Sequence, residues 1–441
     1  MLTTLRNAFK VKDVRKKLLY TFIMLVIIRF GSNLPIPGVN TTYFKDFFEK
    51  QAGDAFGFFN AITGGSFESL SVLALSITPY ITSSIIMQLM TIAIPKLEEM
   101  QREGEDGRKK ILEYTRYLTV GLALLQAIAM AVGFGTQGLL IKYGFKSVVV
   151  VVCTMTAGSA FLMWIGERIT ESGVGNGISM VLLFNIISSL PSDLSILYTK
   201  FIAGKSSIAL QVLVGAIILA LIFVMVVFVI VLQDATRKIP VQYSAKTQGR
   251  RLVGAQNQNS SIPLKVNTAG VIPVIFASSL MSFPVVISQF LKVDPASVGG
   301  KILAVLSSSN WFVVDKPWAS IGALIYVILV ILFAYFYTSI VFNPLEVADN
   351  LKKQGGFIPG IRPGKPTSDY LSKILNYIIF IGAVGLTIVC IIPIIASGLF
   401  SVSRLSFTGT SLIIIVGVVL ETLSAVESQM LERNYKGFLM D

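Results

Sequence analysis

The sequence has no histidine, two cysteines and little charge. Without an imidazole it cannot build a Ser-His-Asp triad, a histidine-ligated metal site or an imidazole proton relay. Cys153 and Cys390 lie far apart in separate apolar runs, where a cysteine usually serves as a small buried hydrophobic residue rather than as a ligand or half of a disulfide. These absences exclude much of hydrolase and metalloenzyme chemistry, and we expect no metal site.

Charged residues make up 14% of the chain and hydrophobic residues 54%, whereas soluble proteins carry about 25% charged residues. The apolar residues gather in runs of about 20, which is the length that a helix needs to cross a bilayer core. The sequence therefore predicts an all-α polytopic membrane protein. Its ten predicted transmembrane helices lie near residues 18–30, 73–94, 117–134, 148–165, 178–190, 208–232, 268–291, 318–342, 371–395 and 409–430.

Lysine and arginine are distributed unevenly between the two sides of these spans. With the N-terminus in the cytoplasm, 26 of the 37 basic residues fall on the cytoplasmic side and 10 on the other, counting Lys373 with the loop before the ninth span. Cytoplasmic loops carry such an excess, so both termini are predicted to be cytoplasmic. The first span follows a basic segment, as in a secretory signal peptide, but it lacks a small-residue cleavage pattern and is predicted to be retained.

Three predicted cytoplasmic loops are longer and more basic than a turn requires. Loop 2/3 spans residues 95–116 and mixes both charge signs, loop 6/7 spans residues 233–266, and loop 8/9 spans residues 343–372. Such loops either place positive charge against lipid headgroups or form a docking surface for a large acidic partner, such as RNA or an acidic protein. The residues alone leave both interpretations open.

The predicted spans hold few charges. Arg29 lies near the end of the first span, and Glu421 and Glu427 lie toward the cytoplasmic end of the tenth. Ion-coupled transporters normally carry such charges inside the membrane, so a proton- or sodium-driven pump is disfavoured. Residues 360–366 have one residue too few between their glycines for a phosphate-binding loop. The energy for any transport is therefore expected to come from elsewhere.

Ten spans divide into two groups of five, and an odd number per group gives the groups opposite orientations in the membrane. The second span of each group contains proline, Pro79 in one and Pro273 with Pro284 in the other. Interrupted helices at matching positions of inverted halves indicate a pathway between the halves, although proline is also ordinary in membrane helices. This observation alone is moderate support for a pathway.

A stretch near residues 55–70, just before the second span, is apolar but too short and too rich in glycine to cross the membrane. It is either a re-entrant half-helix between the two halves or an extracytoplasmic loop that rests on lipid headgroups. In the first arrangement it would obstruct a pore.

Five motifs resemble the SecY family, whose members form the large subunit of the bacterial protein-conducting channel. They occur in the family's order, at residues 78–86 (TPYITSSII), 166–170 (GERIT), 173–179 (GVGNGIS), 263–273 (PLKVN with AGVIP) and 357–364 (FIPGIRPG). The resemblance runs from the N-terminus into the tenth span.

The resemblance implies a clamshell of two inverted five-helix halves, residues 1–190 and 191–441, hinged near the connection between spans 5 and 6. It implies a bacterial plasma membrane protein that moves unfolded secretory proteins across the membrane and releases membrane helices sideways into lipid. The family's pore is not an enzyme, so no catalytic residue and no cofactor are expected. The alternative that the residues leave open is a small-solute secondary transporter with inverted repeats. The scarce midplane charge, the plug-like segment and the long basic loops favour the channel.

The resemblance also implies the site residues. A ring of aliphatic side chains is expected to close the pore at Ile81, Ile85, Leu182, Ile186, Ile275 and Ile414. A plug is expected to include Phe58, Phe59, Ile62, Gly64, Gly65, Phe67 and Leu70. A lateral gate toward lipid is expected where Ser83, Gln88 and Thr91 of span 2 face Ser278, Ser279 and Ser282 of span 7.

The implied partners are SecE-like and SecG-like small membrane subunits, the SecA motor ATPase, the ribosome through its RNA, signal peptides, translocating polypeptides and the lipid bilayer. Loops 6/7 and 8/9 are expected to dock the motor or the ribosome through Arg250, Arg251, Arg362 and Lys365.

Overall fold

The computed structural model describes residues 9–47, 60, 62–135, 138, 140–202, 208–243, 247–248, 251–252, 260–291, 297–307, 310–312, 317–400 and 409–437. This part of the chain is mainly helical. Its helices are α1 (Lys12–Ser32), α2 (Thr41–Phe47), α3 (Thr78–Ala93), α4 (Pro95–Arg102), α5 (Glu105–Gly133), α6 (Phe145–Ser172), α7 (Gly177–Leu197), α8 (Ile208–Asp234), α9 (Ile272–Leu291), α10 (Val298–Leu306), α11 (Ile321–Val341), α12 (Pro344–Lys353), α13 (Lys365–Phe400) and α14 (Gly409–Gly437).

A helix lies at each of the ten positions predicted to cross the membrane. Seven of them are individually long and apolar enough to do so, namely α5, α6, α7, α8, α11, α13 and α14. An eighth candidate is the pair α3 and α4, which is bent by 101°. Within the described residues, α1 and α9 fall short of the same test. The all-α polytopic membrane fold predicted from the sequence is confirmed.

The bend between α3 and α4 follows from the sequence at Ile94 and Pro95. Ile94 has extended backbone angles (φ −111°, ψ 109°), and Pro95 begins α4. The ring of a proline disfavours helical angles for the residue before it but suits the first turn of a new helix. The α4 helix has no buried residue, so the chain leaves the bundle at this point.

Several helices begin or end at other residues than the predicted spans. Residues 73–77 are turns rather than the start of span 2, and α5 begins at Glu105 rather than near 117. The fifth span does not end near 190, because α7 continues through Pro191 to Leu197. In the turn before this proline, the hydroxyls of Ser188 and Ser189 bond the carbonyls of Asn185 and Ile186 at 2.7 and 2.8 Å.

A small β-sheet, which the sequence did not predict, joins loops 6/7 and 8/9. The strands of these loops are β1 (Thr236–Tyr243), β2 (Thr247–Gln248), β3 (Arg251–Leu252), β4 (Ser260–Lys265) and β5 (Gly356–Phe357), of which β2 and β3 form a separate two-stranded sheet. The order β4-β1-β5 is antiparallel throughout, and Ile239 of β1 pairs with Ile262 of β4. Because β5 comes from loop 8/9, the two loops form one unit, which we call the cytoplasmic unit (residues 236–265 and 344–365).

The apolar core is divided among several clusters. One lies among helices of the first half and includes Phe44, Phe134 and Met155. A second lies among helices of the second half and includes Trp311 and Tyr326. A third, described below, draws on helices from both halves. The cytoplasmic unit has its own cluster, which packs on the first turns of α13.

Candidate functional site

The aliphatic residues predicted to form a ring come together between the two halves. Five of them belong to one apolar cluster, with Ile81 packed against its buried members Leu182, Ile186, Ile275 and Ile414. The exposed fractions of these four side chains lie between 1% and 7%. Residues four apart lie on the same helical face, so α7 presents Leu182 and Ile186 together, and the ring draws side chains from α3, α7, α9 and α14.

A cavity of about 450 Å³ lies against this cluster. Ring members from both halves line it, namely Ile81, Ile85, Leu182, Ile275 and Ile414. Ile85, which is not part of the buried cluster, therefore faces the same space. Arg116, Glu167 and Glu171 line the cavity as well. These three residues lie in the cytoplasmic parts of α5 and α6, so the cavity extends from the ring toward the cytoplasm.

The segment before α3 packs against the ring cluster. Ile62 is 3% exposed and is a member of the same apolar cluster as Leu182 and Ile275. Phe67 and Leu70 are buried in the neighbouring cluster of the first half. The predicted half-helix is wrong for residues 64–70, which form turns. We call residues 62–77 the plug segment; Phe58 and Phe59 lie outside the described residues.

Hydrogen bonds to the backbone fix the plug segment. The side-chain amide of Asn185, on α7, donates to the carbonyl of Ile62 and to the hydroxyl of Ser76, both at 3.0 Å. The guanidinium of Arg29, on α1, donates at 3.2 Å to the carbonyl of Gly64 and at the same distance to the hydroxyl of Ser188. Buried polar groups need such partners, so these side chains explain how irregular backbone is accommodated inside the bundle.

Gly64 packs closely against α7. Its φ is +64°, and a Cβ at this position would lie 2.6 Å from the Ser188 hydroxyl oxygen and 2.8 Å from the Asn185 carbonyl oxygen. Gly65 has φ +83°, but a Cβ added there would have no neighbouring atom within 4 Å. Only the first glycine is therefore required by close packing, whereas the second is required by backbone conformation alone.

Reasoning from the sequence missed Asn185 and Ser188, although it noted Arg29 as an unusual charge in the first span. Asn185 is 4% exposed, and a buried polar residue within an apolar span was the available signal. The sequence did not show which group Asn185 bonds, because its acceptor, the carbonyl of Ile62, lies 123 residues earlier in the chain.

That polar residues of α3 and α9 face each other across a lateral gate stays a prediction, and their described hydrogen bonds run within each half. Ser83 and Thr91 bond carbonyls of their own helix, and the Gln88 amide donates to Ser84 at 3.4 Å. Ser278 pairs with Tyr326 of α11 in its own half. A hydroxyl inside a helix readily bonds a carbonyl one turn earlier, so the hydroxyls of Ser83 and Thr91 bond within their own helix. Ser279 and Ser282 lie on α9 and are half-buried.

Three of the four predicted docking residues lie in the part of the chain that the structure describes. Arg362 and Lys365 are exposed, in and just after a turn between Gly360 and Gly364 that both have positive φ. Arg251 belongs to β3, and Arg250 lies outside the described residues. Beneath the turn, Ile358 packs with Leu371 of α13, which fixes the turn on the helix bundle.

Apolar side chains from two groups of membrane helices meeting over a plug segment define a polytopic membrane protein of the channel class. Among the described residues, no group of three His, Cys, Asp or Glu side chains is placed to hold a metal ion. The family model SecY matches residues 71–423, and the chain belongs to the SecY family.

Relatives match the chain over its whole length. It is 41% identical to the protein translocase subunit SecY of Halalkalibacterium halodurans and 40% identical to that of Bacillus subtilis, with 100% of each chain covered in both cases. Among solved structures, a protein-conducting channel matches with a TM-score of 0.66 at 19% identity, covering 94% of this chain and 92% of the other. At this level of identity the structural match supports the fold.

Family membership defines the chain's general role. It is the central, channel-forming subunit of a protein translocase and a multi-pass protein of the plasma membrane. Members of this family are membrane transport proteins. In the described residues, seven helices are long and apolar enough to cross a membrane, as such a protein requires.

Proposed function

We propose that unfolded polypeptides cross the membrane between the two halves of this chain, through the ring of Ile81, Ile85, Leu182, Ile186, Ile275 and Ile414. The observation that carries the proposal is the single apolar cluster in which ring residues of both halves meet the plug residue Ile62. The first half comprises α1 to α7 and the second half α8 to α14. The chain serves as a pore, and it does not itself hydrolyse a nucleotide.

An aliphatic ring suits a pore for polypeptides. A narrow apolar constriction excludes water when it is empty, which blocks ions. Flexible aliphatic side chains then close around a passing chain of any sequence, because they offer it no hydrogen-bond partner. The ring therefore combines tight closure with tolerance of varied substrates.

The plug segment strengthens the closed state. A passing chain must displace Ile62 from the ring cluster and break the hydrogen bonds from Asn185 and Arg29 to the carbonyls of Ile62 and Gly64. A typical hydrogen bond contributes about 0.5–1.5 kcal/mol. A few such bonds hold the plug in place at rest but yield to a partner that supplies energy.

The seam between α3 and α9 provides the lateral exit. Gln88 and Ser84 of α3 and Phe276 of α9 line the same cavity, so a segment in the cavity touches both helices. Ser83, Thr91 and Ser278 make their described hydrogen bonds inside their own half. Few polar contacts then need to break when an apolar segment parts the two helices and enters lipid.

The cytoplasmic unit docks the partners. We propose that Arg362 and Lys365, together with Arg250 and Arg251, bind a SecA motor or the ribosome in turn. Arginine and lysine pair well with phosphates and carboxylates. One structure that resembles the chain is Sec61 in the canine ribosome-channel complex, with a TM-score of 0.63. SecE-like and SecG-like subunits complete the assembly in the bilayer.

Sealed vesicles test this function. The chain is reconstituted with its small membrane subunits, and SecA, ATP and a secretory precursor are added outside. We expect the precursor to become resistant to external protease when ATP is present, and to remain sensitive with a non-hydrolysable analogue. Vesicles without the chain are the control. Protection that does not depend on the chain, or uptake of small solutes without precursor transport, would contradict the proposal.

A further inference from the structure

A short helix, α10, lies in the loop that joins the spans of α9 and α11, on the extracytoplasmic side of the membrane. The hydroxyl of Ser297 accepts a hydrogen bond of 3.1 Å from the backbone N–H of Gly300, which caps the first turn of the helix. A few residues suffice to join two neighbouring helices. Neither the pore nor the lateral exit explains why a capped helix is built in this loop.

The residues after α10 fasten it to α11. Trp311 is 2% exposed, and its indole N–H donates to the carbonyl of Val305 at 2.6 Å. The Trp311 ring packs against the ring of Tyr326, on α11, with 5.6 Å between the ring centres. Gly322 of α11 lies so close to the same Val305 carbonyl that no Cβ would fit between them. The height of α10 relative to α11 is therefore fixed.

That height is the outer boundary of the bilayer core. The α11 helix has 21 residues and is about 31 Å long, which matches a bilayer core of about 30 Å. Trp318 is exposed in the turn just before α11, and tryptophan is enriched at the level of the lipid headgroups. Because Gly322 is the second residue of α11, its contact with Val305 places the end of α10 at this boundary.

The α10 helix turns an apolar stripe away from the protein. Val298 and Ile302 are 76% and 56% exposed, and residues four apart lie on one helical face. Val305 extends this stripe by one turn, and the exposed Lys301 lies beside it. The helix contains no acidic residue. An apolar face flanked by positive charge is typical of a helix that lies in the membrane interface.

We propose that α10 is an interfacial helix that lies flat in the extracytoplasmic leaflet. Val298 and Ile302 insert below the headgroups, and Lys301 binds phospholipid phosphates. Lipid is the occupant of the stripe because the stripe reaches α11 beside Ile321, whose exposed side chain begins the lipid-facing surface of that span. The stem of a lysine can follow the apolar layer while its ammonium group reaches the phosphates, so the helix and the leaflet match in charge as well as in polarity.

Spin labels measure the depth of α10 in vesicles of phosphatidylcholine and phosphatidylglycerol that hold the whole assembly. The labels are attached at Val298→Cys or Ile302→Cys. Cys153→Ser removes the exposed native thiol, whereas Cys390 is buried and stays unlabelled. Oxygen concentrates in lipid and a nickel chelate stays in water. We expect both labels to be more accessible to oxygen than to the chelate, because a flat helix holds both positions in the leaflet.

Two further labelled positions calibrate the measurement. Leu324→Cys places a label on the lipid-facing surface of α11, and Glu105→Cys places one at a side chain that is 88% exposed outside the membrane. An Ile302 or Val298 label that behaves like the Glu105 label would place that part of α10 in water. A label shielded from both reagents would place the stripe under a partner subunit. Each of these results would overturn the proposal.

Lys301→Glu tests the contact with phosphates independently. The reversed charge is repelled by an anionic surface, so the Ile302 label is expected to become more accessible to the chelate. The change should be smaller in vesicles of phosphatidylcholine alone, which carry no net charge. Lys352→Glu, the same reversal at an exposed site on α12, is the matched control and should leave the label unchanged. An unchanged label in Lys301→Glu would refute the role of this lysine.

Discussion

At the scale of single residues, Asn185 connects the plug segment to the helix bundle. It bonds Ile62 and Ser76 from a site where it is 4% exposed. In Asn185→Ala both acceptors lose this donor, and leaving a buried polar group unpaired costs about 1–3 kcal/mol. We expect the resting channel to leak ions, measured as conductance in a planar bilayer.

Asn33→Ala is the matched control for this prediction. Asn33 also donates to a backbone carbonyl, that of Arg29, but its side chain is exposed. Its loss should leave the conductance at the wild-type level. The same leak in both variants would mean that plug closure does not depend on the Asn185 bonds.

Alanine substitutions at Gly64 and Gly65 distinguish the effect of close packing from that of backbone strain. Both have positive φ, where a non-glycine residue costs about 1 kcal/mol or more. Only at Gly64 would the added methyl group also collide with Ser188 and Asn185. We expect Gly64→Ala to raise conductance and to lower the midpoint of thermal unfolding more than Gly65→Ala does. Equal effects of the two changes would argue against tight packing of the plug segment on α7.

At the scale of secondary-structure elements, Arg362 depends on the cytoplasmic unit for its position. The turn that carries it follows β5, which pairs with β1 of the other loop. Reversing its charge in Arg362→Glu is expected to lower ATP-driven transport at least tenfold, since a reversed charge repels the acidic groups that an arginine binds. Rates of precursor protection in vesicles measure the effect.

The control for this change is Lys142→Glu, the same charge reversal at an exposed site on the opposite side of the membrane. Transport by this variant should match that of the wild type. If the Arg362→Glu variant also transports precursor at the wild-type rate, the docking site lies elsewhere on the cytoplasmic unit.

The elements show what the sequence could and could not predict. Helix positions followed from apolar runs, because burial in lipid requires about 20 apolar residues in a row. The start of α5 at Glu105 was missed because charged residues such as Arg108 and Lys109 also favour helices once outside the membrane. The β1 strand was missed because its stability comes from partners far along the chain, Ile262 and Phe357.

Of the candidate site, the sequence predicted the ring residues but not the hydrogen bonds of the gate and of the plug segment. The ring residues were reached through the resemblance to the SecY family, and the structure brings five of them into one cluster. The gate residues were also reached through this resemblance, which cannot tell whether a serine such as Ser83 bonds its own helix or a neighbour. The bonds of Asn185 to the plug segment required the tertiary structure.

At the scale of the whole molecule, the space between the two halves is the proposed path of the polypeptide. Residues of α3, α7, α9 and α14 surround this path at the ring. Ile62 of the plug segment packs in the ring cluster, and the cavity extends from the ring toward the cytoplasm. A membrane channel built in this way needs no residue that recognises one particular sequence.

Photo-crosslinking of a stalled precursor tests this path most directly. A photoreactive residue is placed at Ile81, at Ile275 or at Ile328, which is 54% exposed on α11, and the precursor is arrested by a tightly folded domain at its end. We expect adducts from Ile81 and Ile275 and none from Ile328. A protease-protected, arrested precursor that reacts with Ile328 but with neither ring position would contradict a path between the two halves.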